Sequence, residues 1–377
     1  MKRKTVYFAA PRQVELREET QPDLGADEVR VDTICSAISA GTEMLVYRGQ
    51  CPQLEDSNDI FSSDVKYPIA FGYACVGRIR EIGAQVDQPL LDKLVFAFQP
   101  HTSSFIIHPS ELIIAPASVH AETCSLLPNM ETAVNLIQDA APLLGERVLV
   151  IGQGVVGLLV ASLLKEFPLE LLVTADRYPL RRKASLELGA NDSFDPADFA
   201  VVSQTKHASN TNAHAESSSA TNSDSSQSTS SKPNSTENKG SAAHSKQRLA
   251  YAQKKFDLTF ELSGSPAALN DAIALTAFSG RIVIGSWYGE KRAEIDLGGV
   301  FHRSRIKLIS SQVSSIAPEL RGRWDKARRF GVAWEALKRI QPEKWITHRF
   351  PIEEAAQAYQ LLDENPQEAI QVLLTYS

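Results

Sequence analysis

Residues 148–159 read Val-Leu-Val-Ile-Gly-Gln-Gly-Val-Val-Gly-Leu-Leu. A short β-branched apolar run meets Gly-x-Gly-x-x-Gly and passes straight into an apolar helical pattern. No other feature restricts the fold as much, because it reads as the strand–turn–helix opening of a dinucleotide-binding unit. Gly152 allows the tight turn, Gly154 lets backbone approach a pyrophosphate, and Gly157 lets helix and strand pack closely. The free N–H groups at the helix start, around Val155 and Val156, suit phosphate, as does the helix dipole. Alone the glycine pattern is weak, since such turns also serve plain connections. Its surroundings strengthen it. A helix is expected from about Val155 to Phe167, where Pro168 stops it. A strand at 169–175 then leads to Asp176, 19 residues beyond Gly157. A carboxylate there accepts hydrogen bonds from the ribose hydroxyls of NAD and repels the 2′-phosphate of NADP. The plainer reading of Asp176 is a solvated turn residue before Pro179. Arg177 points the other way, since a guanidinium beside the pocket suits a 2′-phosphate. NAD is the expected cofactor, and NADP is the alternative.

At 377 residues the chain has room for two domains, each with its own core. A net charge of −6 leaves no basic footprint, so neither nucleic acid nor an anionic membrane surface is an expected partner. No run approaches the roughly 18 apolar residues of a membrane span, and no secretion signal follows the charged start. Cys35, Cys51, Cys75 and Cys124 lack a C-x-x-C pairing and read as reduced thiols of a cytoplasmic protein.

Residues 1–124 show short strands at 28–34, 75–81 and 93–98 with Gly and Pro punctuation, which predicts a compact β-rich domain. Helix and strand then alternate from about Ala121. Strands are expected at 169–175, 256–262, 281–284 and 306–310, implying a parallel sheet with helices on both faces. From 203 to 246 the chain is almost wholly Ser, Asn, Thr, Ala, His and Lys, a composition that reads as a disordered insert. Near the C-terminus, helical patterns at 324–337 and 352–362 and strands at 345–350 and 369–375 suggest a short unit that packs back on the first domain.

Several local patterns combine with these. They are Gly41-Thr42-Glu43 with Tyr47-Arg48-Gly49, Tyr67-Pro68 leading to Gly72, and Gly77 with Ile82-Gly83. Further along come Leu188-Gly189-Ala190, Phe256-Asp257 with Glu261 and Gly264, and Gly280-Arg281-Ile282-Val283. On these the chain resembles the medium-chain, zinc-type alcohol dehydrogenase-like dehydrogenase/reductase superfamily over nearly its whole length apart from the insert. The resemblance implies an α/β fold: a GroES-like β-rich catalytic domain (1–124), a doubly wound Rossmann domain binding NAD(P) (125–313), and a C-terminal segment (314–377) completing the first. It also implies a small-molecule substrate, and a homodimer formed through the Rossmann sheet edge near 283–286 and 300–311.

The departures matter as much. Zinc members hold the metal with a cysteine near the G-T-D-like turn, a G-H-E triplet and a later Cys, His or Asp. Here a serine or alanine stands at the first position, the triplet reads Gly72-Tyr73-Ala74, and 128–132 holds no Cys or His. The structural-zinc cysteines are also missing after Phe98. Zinc needs three or four converging N, S or O ligands, so no metal is expected, and the chain resembles a zinc-lacking branch that includes bacteriochlorophyllide dehydrogenases.

Without a metal, a hydroxyl or imidazole must polarise the substrate oxygen and move the proton. Thr42 matches the family's hydroxyl position that contacts the substrate oxygen and is the first choice for that role. Tyr73 replaces a metal-ligand histidine, Glu43 could orient either group or act as base, and His101 is the best-placed histidine for a relay. Each has a plainer reading: a turn and its cap for Thr42 and Glu43, pocket filling for Tyr73, and a solvated loop for His101. Thr132, Ser263 and Trp287 are matched to the cofactor side, with helix or core packing as the other explanation for Thr132 and Trp287. The expected activity is zinc-independent hydride transfer between a nicotinamide and an alcohol or carbonyl. Reduction of an enone or quinone is the close variant, and a catalytically silent NAD(P)-binding redox sensor or scaffold is the alternative from another class.

Overall fold

A computed structural model describes residues 1–52, 66–198 and 255–377. The Ser-rich stretch 203–246 lies outside the described residues. The glycine motif sits in a six-stranded, all-parallel sheet. In chain order the elements of the whole molecule include β1 (Lys2–Ala10), β2 (Gln13–Thr20), β3 (Val29–Ile38), β4 (Ile69–Ala70), β5 (Cys75–Ile82), β6 (Leu94–Ala97), β7 (Ser104–Ile107), β8 (Ile113–Ile114), β9 (Arg147–Ile151), β10 (Leu171–Ala175), β11 (Asp192–Phe194), β12 (Phe256–Glu261), β13 (Thr276–Ile284), β14 (Lys307–Ser310), β15 (Ile346–Pro351) and β16 (Gln371–Thr375). The parallel sheet runs β11-β10-β9-β12-β13-β14. Its order reverses between β9 and β12, and the crevice beyond the C-terminal ends of those two strands is where such sheets bind ligands.

The helix after β9, Val155–Leu164, is apolar on every side, and all of it but Val156 is buried. A helix of that character has to sit inside the layered structure. It ends earlier than Phe167. The last turn tightens into short-range bonds (Glu166 N–H to Leu163 O, 3.2 Å; Phe167 N–H to Leu164 O, 2.9 Å), because Pro168 cannot continue an α-helix. Two other boundaries also shift. The helix expected from 324 starts at Lys326, since the Asp325 side chain accepts the Arg328 N–H at 2.7 Å and fixes the cap one residue before it. Residues 352–354 form a 3₁₀ turn ahead of the helix Ala355–Glu364.

The remaining strands form two further sheets. One is antiparallel and three-stranded, β2-β1-β4. The other runs β15-β16-β3-β5-β6-β8, with β7 also paired to β3. Its position is settled by the last strand. β16 pairs antiparallel with β3 (Val372 with Ile38, Leu374 with Ser36), so the end of the chain joins the sheet begun by residues 29–38. Four of the five β16 residues are buried, which explains why this segment packs inward. Helix Lys326–Ile340 packs on helix Leu127–Ala140 through a buried ion pair. Arg329 Nε and Nη2 donate to Glu131 Oε1 at 3.0 and 2.7 Å, and Arg329 Nη1 donates to Asn135 Oδ1 (2.5 Å) and Ser315 O (3.1 Å).

Candidate functional site

The turn after β3 carries the first part of the site. Helix Thr42–Tyr47 starts at Gly41, and two reciprocal bonds hold its entry. Thr42 N–H donates to Ser39 Oγ (3.3 Å), and Ser39 N–H donates to Glu43 Oε1 (2.9 Å). The cap reading of Thr42 and Glu43 is therefore realised, but it uses only one oxygen of the carboxylate. Glu43 Oε2 faces inward, where it meets His101 Nε2 at 2.9 Å and accepts the Tyr359 hydroxyl at 2.6 Å. Glu43, His101 and Tyr359 are all fully buried.

His101 is thus a core histidine and no solvated loop residue. Gly72 makes room for it: at φ +122 a side chain is strained there, and a Cβ would lie 2.6 Å from His101 Cδ2. The other ring nitrogen, Nδ1, meets Ser36 Oγ at 2.6 Å, and Ser36 Oγ meets the Tyr376 hydroxyl at 2.6 Å. Tyr73, half-buried, lies beside the Ser39 and Thr42 hydroxyls. Burial pushes its phenol up to about 12; the Glu43 charge adds to the rise, while the two hydroxyls oppose it. Burial, followed by Glu43, also raises Tyr359 well above the usual phenol range. Thr42, Glu43, Tyr73 and His101, scattered over 60 residues of sequence, therefore form one cluster. Ser36, Ser39, Tyr359 and Tyr376 complete it. Among the described residues no three of His, Cys, Asp and Glu converge as a metal-binding group.

At the sheet crevice, Gly152 has φ +93, and a Cβ there would lie 2.5 Å from the Leu262 backbone. A Cβ on Gly157 would fall 1.9 Å from Gly152 O. Gly154, by contrast, caps the helix and faces open space, where the nearest atom to an added Cβ is Arg181 Nη1 at 4.0 Å. No side chain caps that helix, so its first N–H groups face the same space. Val155 is buried at this end, and Val156 is half-buried. Asp176 is 6% exposed and is not the solvated turn residue of its plainer reading. Its carboxylate accepts Gln153 N–H (2.7 Å) and Tyr178 N–H (2.8 Å), one on each oxygen. Arg177 lies exposed beside it.

Arg181, one helical turn further on, is a residue that local pattern does not single out. Its Nε and Nη2 donate to Ala369 O (3.1 and 2.9 Å), and Nη2 also donates to Pro366 O (3.0 Å). At the end of β12, Ser263 donates its N–H to buried Glu261 at 2.8 Å, and Glu261 also accepts the Tyr288 hydroxyl at 2.5 Å. Trp287 lies half-buried between Ser286, whose Oγ accepts Gly264 N–H at 2.9 Å, and Tyr288. The Gly289–Glu290 turn reaches the other part of the molecule, with Glu290 N–H donating to Gln50 O at 3.1 Å. Thr132 donates its hydroxyl to Pro128 O at 2.9 Å, one turn back in its own helix.

No protein-family model matches the sequence. The chain is 22% identical to the starvation-sensing protein RspB of Escherichia coli K12, over 99% of both chains. It is also 22% identical to the D-guloside 3-dehydrogenase of the same organism, over 99% of this chain and all of that protein. Among solved structures, RspB alcohol dehydrogenase from Escherichia coli CFT073, complexed with NADH, superposes at TM-score 0.69 with 19% identity, over 100% of this chain and 99% of that one. A dehydrogenase from Sinorhizobium meliloti 1021 bound to NADP gives 0.68 and 15%, with the same coverage. End-to-end likeness in sequence, with a Rossmann sheet and a GroES-like β-rich domain shared in structure, makes the chain similar to the medium-chain, alcohol dehydrogenase-like dehydrogenases and reductases.

Proposed function

We propose that the protein transfers hydride between a nicotinamide cofactor and an alcohol or carbonyl carbon without zinc, with the Tyr73 phenol as the group that hydrogen-bonds the substrate oxygen. The observation that carries this reading is the state of Tyr73. A phenol raised to about 12 by burial, and so neutral, stands beside the Ser39 and Thr42 hydroxyls where the resemblance calls for a metal-ligand histidine. The donor set does not fit zinc. Its outer members are hydroxyls, and Glu43 is already engaged by Ser39, His101 and Tyr359.

In the reductive direction the Tyr73 O–H donates to the carbonyl oxygen and gives up its proton as that oxygen becomes a hydroxyl. The Ser39 and Thr42 hydroxyls stabilise the phenolate left behind until it regains a proton from solvent. Glu43, with both oxygens occupied, holds the turn and does not compete as a base. A bound nicotinamide supplies the hydride, or accepts it in the oxidative direction. The Gly154 space and the uncapped helix N-terminus fit its pyrophosphate, with Arg181 Nη1 alongside. Asp176 keeps lone pairs free for ribose hydroxyls and opposes a 2′-phosphate, which favours NAD. Thr132, Ser263 and Trp287 border the nicotinamide end, and Arg177 borders the adenosine end.

The name of the D-guloside 3-dehydrogenase makes glycosides with a free secondary hydroxyl, and their ketones, the first substrates to test. We assign residues 1–124 and 314–377 to the catalytic domain and 125–313 to the cofactor domain. The protein acts in the cytoplasm on a small molecule, with neither nucleic acid nor membrane as partner. It pairs as a homodimer through β14, whose outer edge carries the partly exposed Leu308; Leu308→Glu should then shift sedimentation to monomer, and a monomeric parent protein would overturn the pairing.

The deciding experiment measures metal content and turnover together. Less than stoichiometric zinc is expected, with NADH-dependent reduction of a ketone that chelator does not remove. Tyr73→Phe should lower kcat by about 10²–10⁴, the range for a lost general acid, with NADH affinity unchanged. A full zinc equivalent, or an undiminished Tyr73→Phe, sinks the reading. Turnover confined to enones or quinones would favour the close variant. Tight NADH binding without turnover of any of these would favour the sensor.

A further inference from the structure

The buried chain behind Glu43 continues to the end of the polypeptide. Tyr376 follows β16 directly, and its N–H donates to Ile34 O at 3.3 Å, which holds the residue against β3. Ser36, on β3, is fully buried and is paired in register with Leu374. Its single hydroxyl hydrogen has two partners to choose between, His101 Nδ1 and the Tyr376 oxygen, both at 2.6 Å. When the Tyr376 O–H donates to Ser36, the Ser36 hydrogen must turn to Nδ1. A neutral His101 then carries its proton on Nε2 and donates it to Glu43. If Ser36 donates to Tyr376 instead, Nδ1 carries the proton and a bare Nε2 faces a carboxylate, which is repulsive. Glu43 Oε1 in turn holds the Ser39 N–H, and the Ser39 hydroxyl holds Tyr73.

We propose that Tyr376, the residue after β16, is a positioning residue for the Tyr73 phenol, acting through Ser36, the His101 tautomer, Glu43 and Ser39. This rests on the reading of Tyr73 as the substrate-oxygen donor. It gives β16, which Tyr376 follows directly, a task beyond packing. The groups facing His101 are Glu43 at Nε2, Ser36 at Nδ1, and the Tyr359 ring edge-on at 6.4 Å between centroids. The Ser36 side carries the hydrogen bond to Tyr376.

The test uses the full-length protein with Tyr376→Phe, Ser36→Ala and the double variant. Tyr376→Phe keeps the ring and removes only the hydroxyl. Each single change should lower kcat by about tenfold with KM and NADH affinity within about twofold, as for an interaction that matters in the transition state alone. The double variant should be no worse than the poorer single one, because both cut the same chain. Long-range ¹H–¹⁵N correlation should show His101 protonated at Nε2 in the parent and a larger share of the Nδ1–H form in Tyr376→Phe, where Ser36 is free to accept from Nδ1, a readout that does not depend on turnover. The inference is overturned if Tyr376→Phe retains kcat and the parent tautomer, if the two losses multiply, or if the loss of activity simply follows a lowered melting temperature. Tyr73→Phe, run alongside, separates the two claims. Full activity in that variant removes the Tyr73 reading, whereas an inactive Tyr73→Phe beside a normal Tyr376→Phe removes only this one.

Discussion

Glu43 shows how one side chain serves both structure and chemistry. One carboxylate oxygen closes the turn at Ser39, and the other holds His101 and Tyr359 in a fully buried space. Glu43→Gln keeps the shape but turns an amide N–H or a weaker acceptor toward these partners, so a loss of about 1–3 kcal/mol in stability is expected from denaturant melts, the cost of an unsatisfied buried group. The tyrosines around it also make a claim about pH. Tyr73, Tyr359 and Tyr376 all have phenols raised by burial, Tyr73 to about 12. In the unfolded chain a phenol ionises near pH 10. The folded state therefore holds protons that the unfolded state has released. Stability is unaffected below about pH 10 and falls as pH rises from there toward about 12. Melting temperatures measured from pH 8 to 11 should drop only at the alkaline end, and a 295 nm titration should show these phenols ionising only as the protein unfolds. A tyrosine-dependent change in kcat between pH 7 and 9 would contradict the assignment. At the cofactor crevice, Asp176→Ser should relax the preference for NADH over NADPH. Unchanged binding of both cofactors would remove Asp176 from the ribose site.

At the scale of elements, the glycine loop and the helix pair make different demands. Gly157→Ala places a methyl group 1.9 Å from Gly152 O, so the helix must move away from β9. NADH binding should be lost by fluorescence titration, with far-UV circular dichroism little changed. The Arg329–Glu131 pair joins helices almost 200 residues apart in sequence. Arg329→Ala strands a buried carboxylate and should cost about 3–5 kcal/mol, whereas Arg329→Met with Glu131→Leu should recover much of it. If the single change proves neutral, the pair is not what holds helix Lys326–Ile340 in place. Much of the element pattern was legible beforehand. The apolar run at 148–151 and the helix behind it declared themselves through period and composition. The boundaries moved where a local contact intervened, as at Asp325 and Pro168.

At the scale of the whole molecule, four regions of the sequence make one site: the end of β3 with the turn after it, the link between β4 and β5, the loop after β6 and the C-terminal segment. The parallel sheet, its nucleotide crevice and the departure from the zinc ligands could all be read from residues, because each depends on local chemistry: a glycine where no Cβ fits, a β-branched run, a tyrosine in place of a histidine. The four candidate catalytic residues could also be named, since the resemblance and residue type carry that much. Their partners could not. Ser36, Tyr359 and Tyr376 have no motif, and Tyr359 lies more than 300 residues from the carboxylate it touches. Arg181 likewise reads as one more surface arginine until Pro366 and Ala369 are seen to receive it. By itself, then, the sequence determined the layers, the place for a dinucleotide and the absence of the usual metal-ligand residue types. Only the tertiary structure decided that His101 is buried, which hydroxyls lie beside Tyr73 and that Tyr376 joins the network. Those outcomes depend on β16 pairing with β3, a long-range contact held by burial of apolar side chains that no local stretch of sequence encodes.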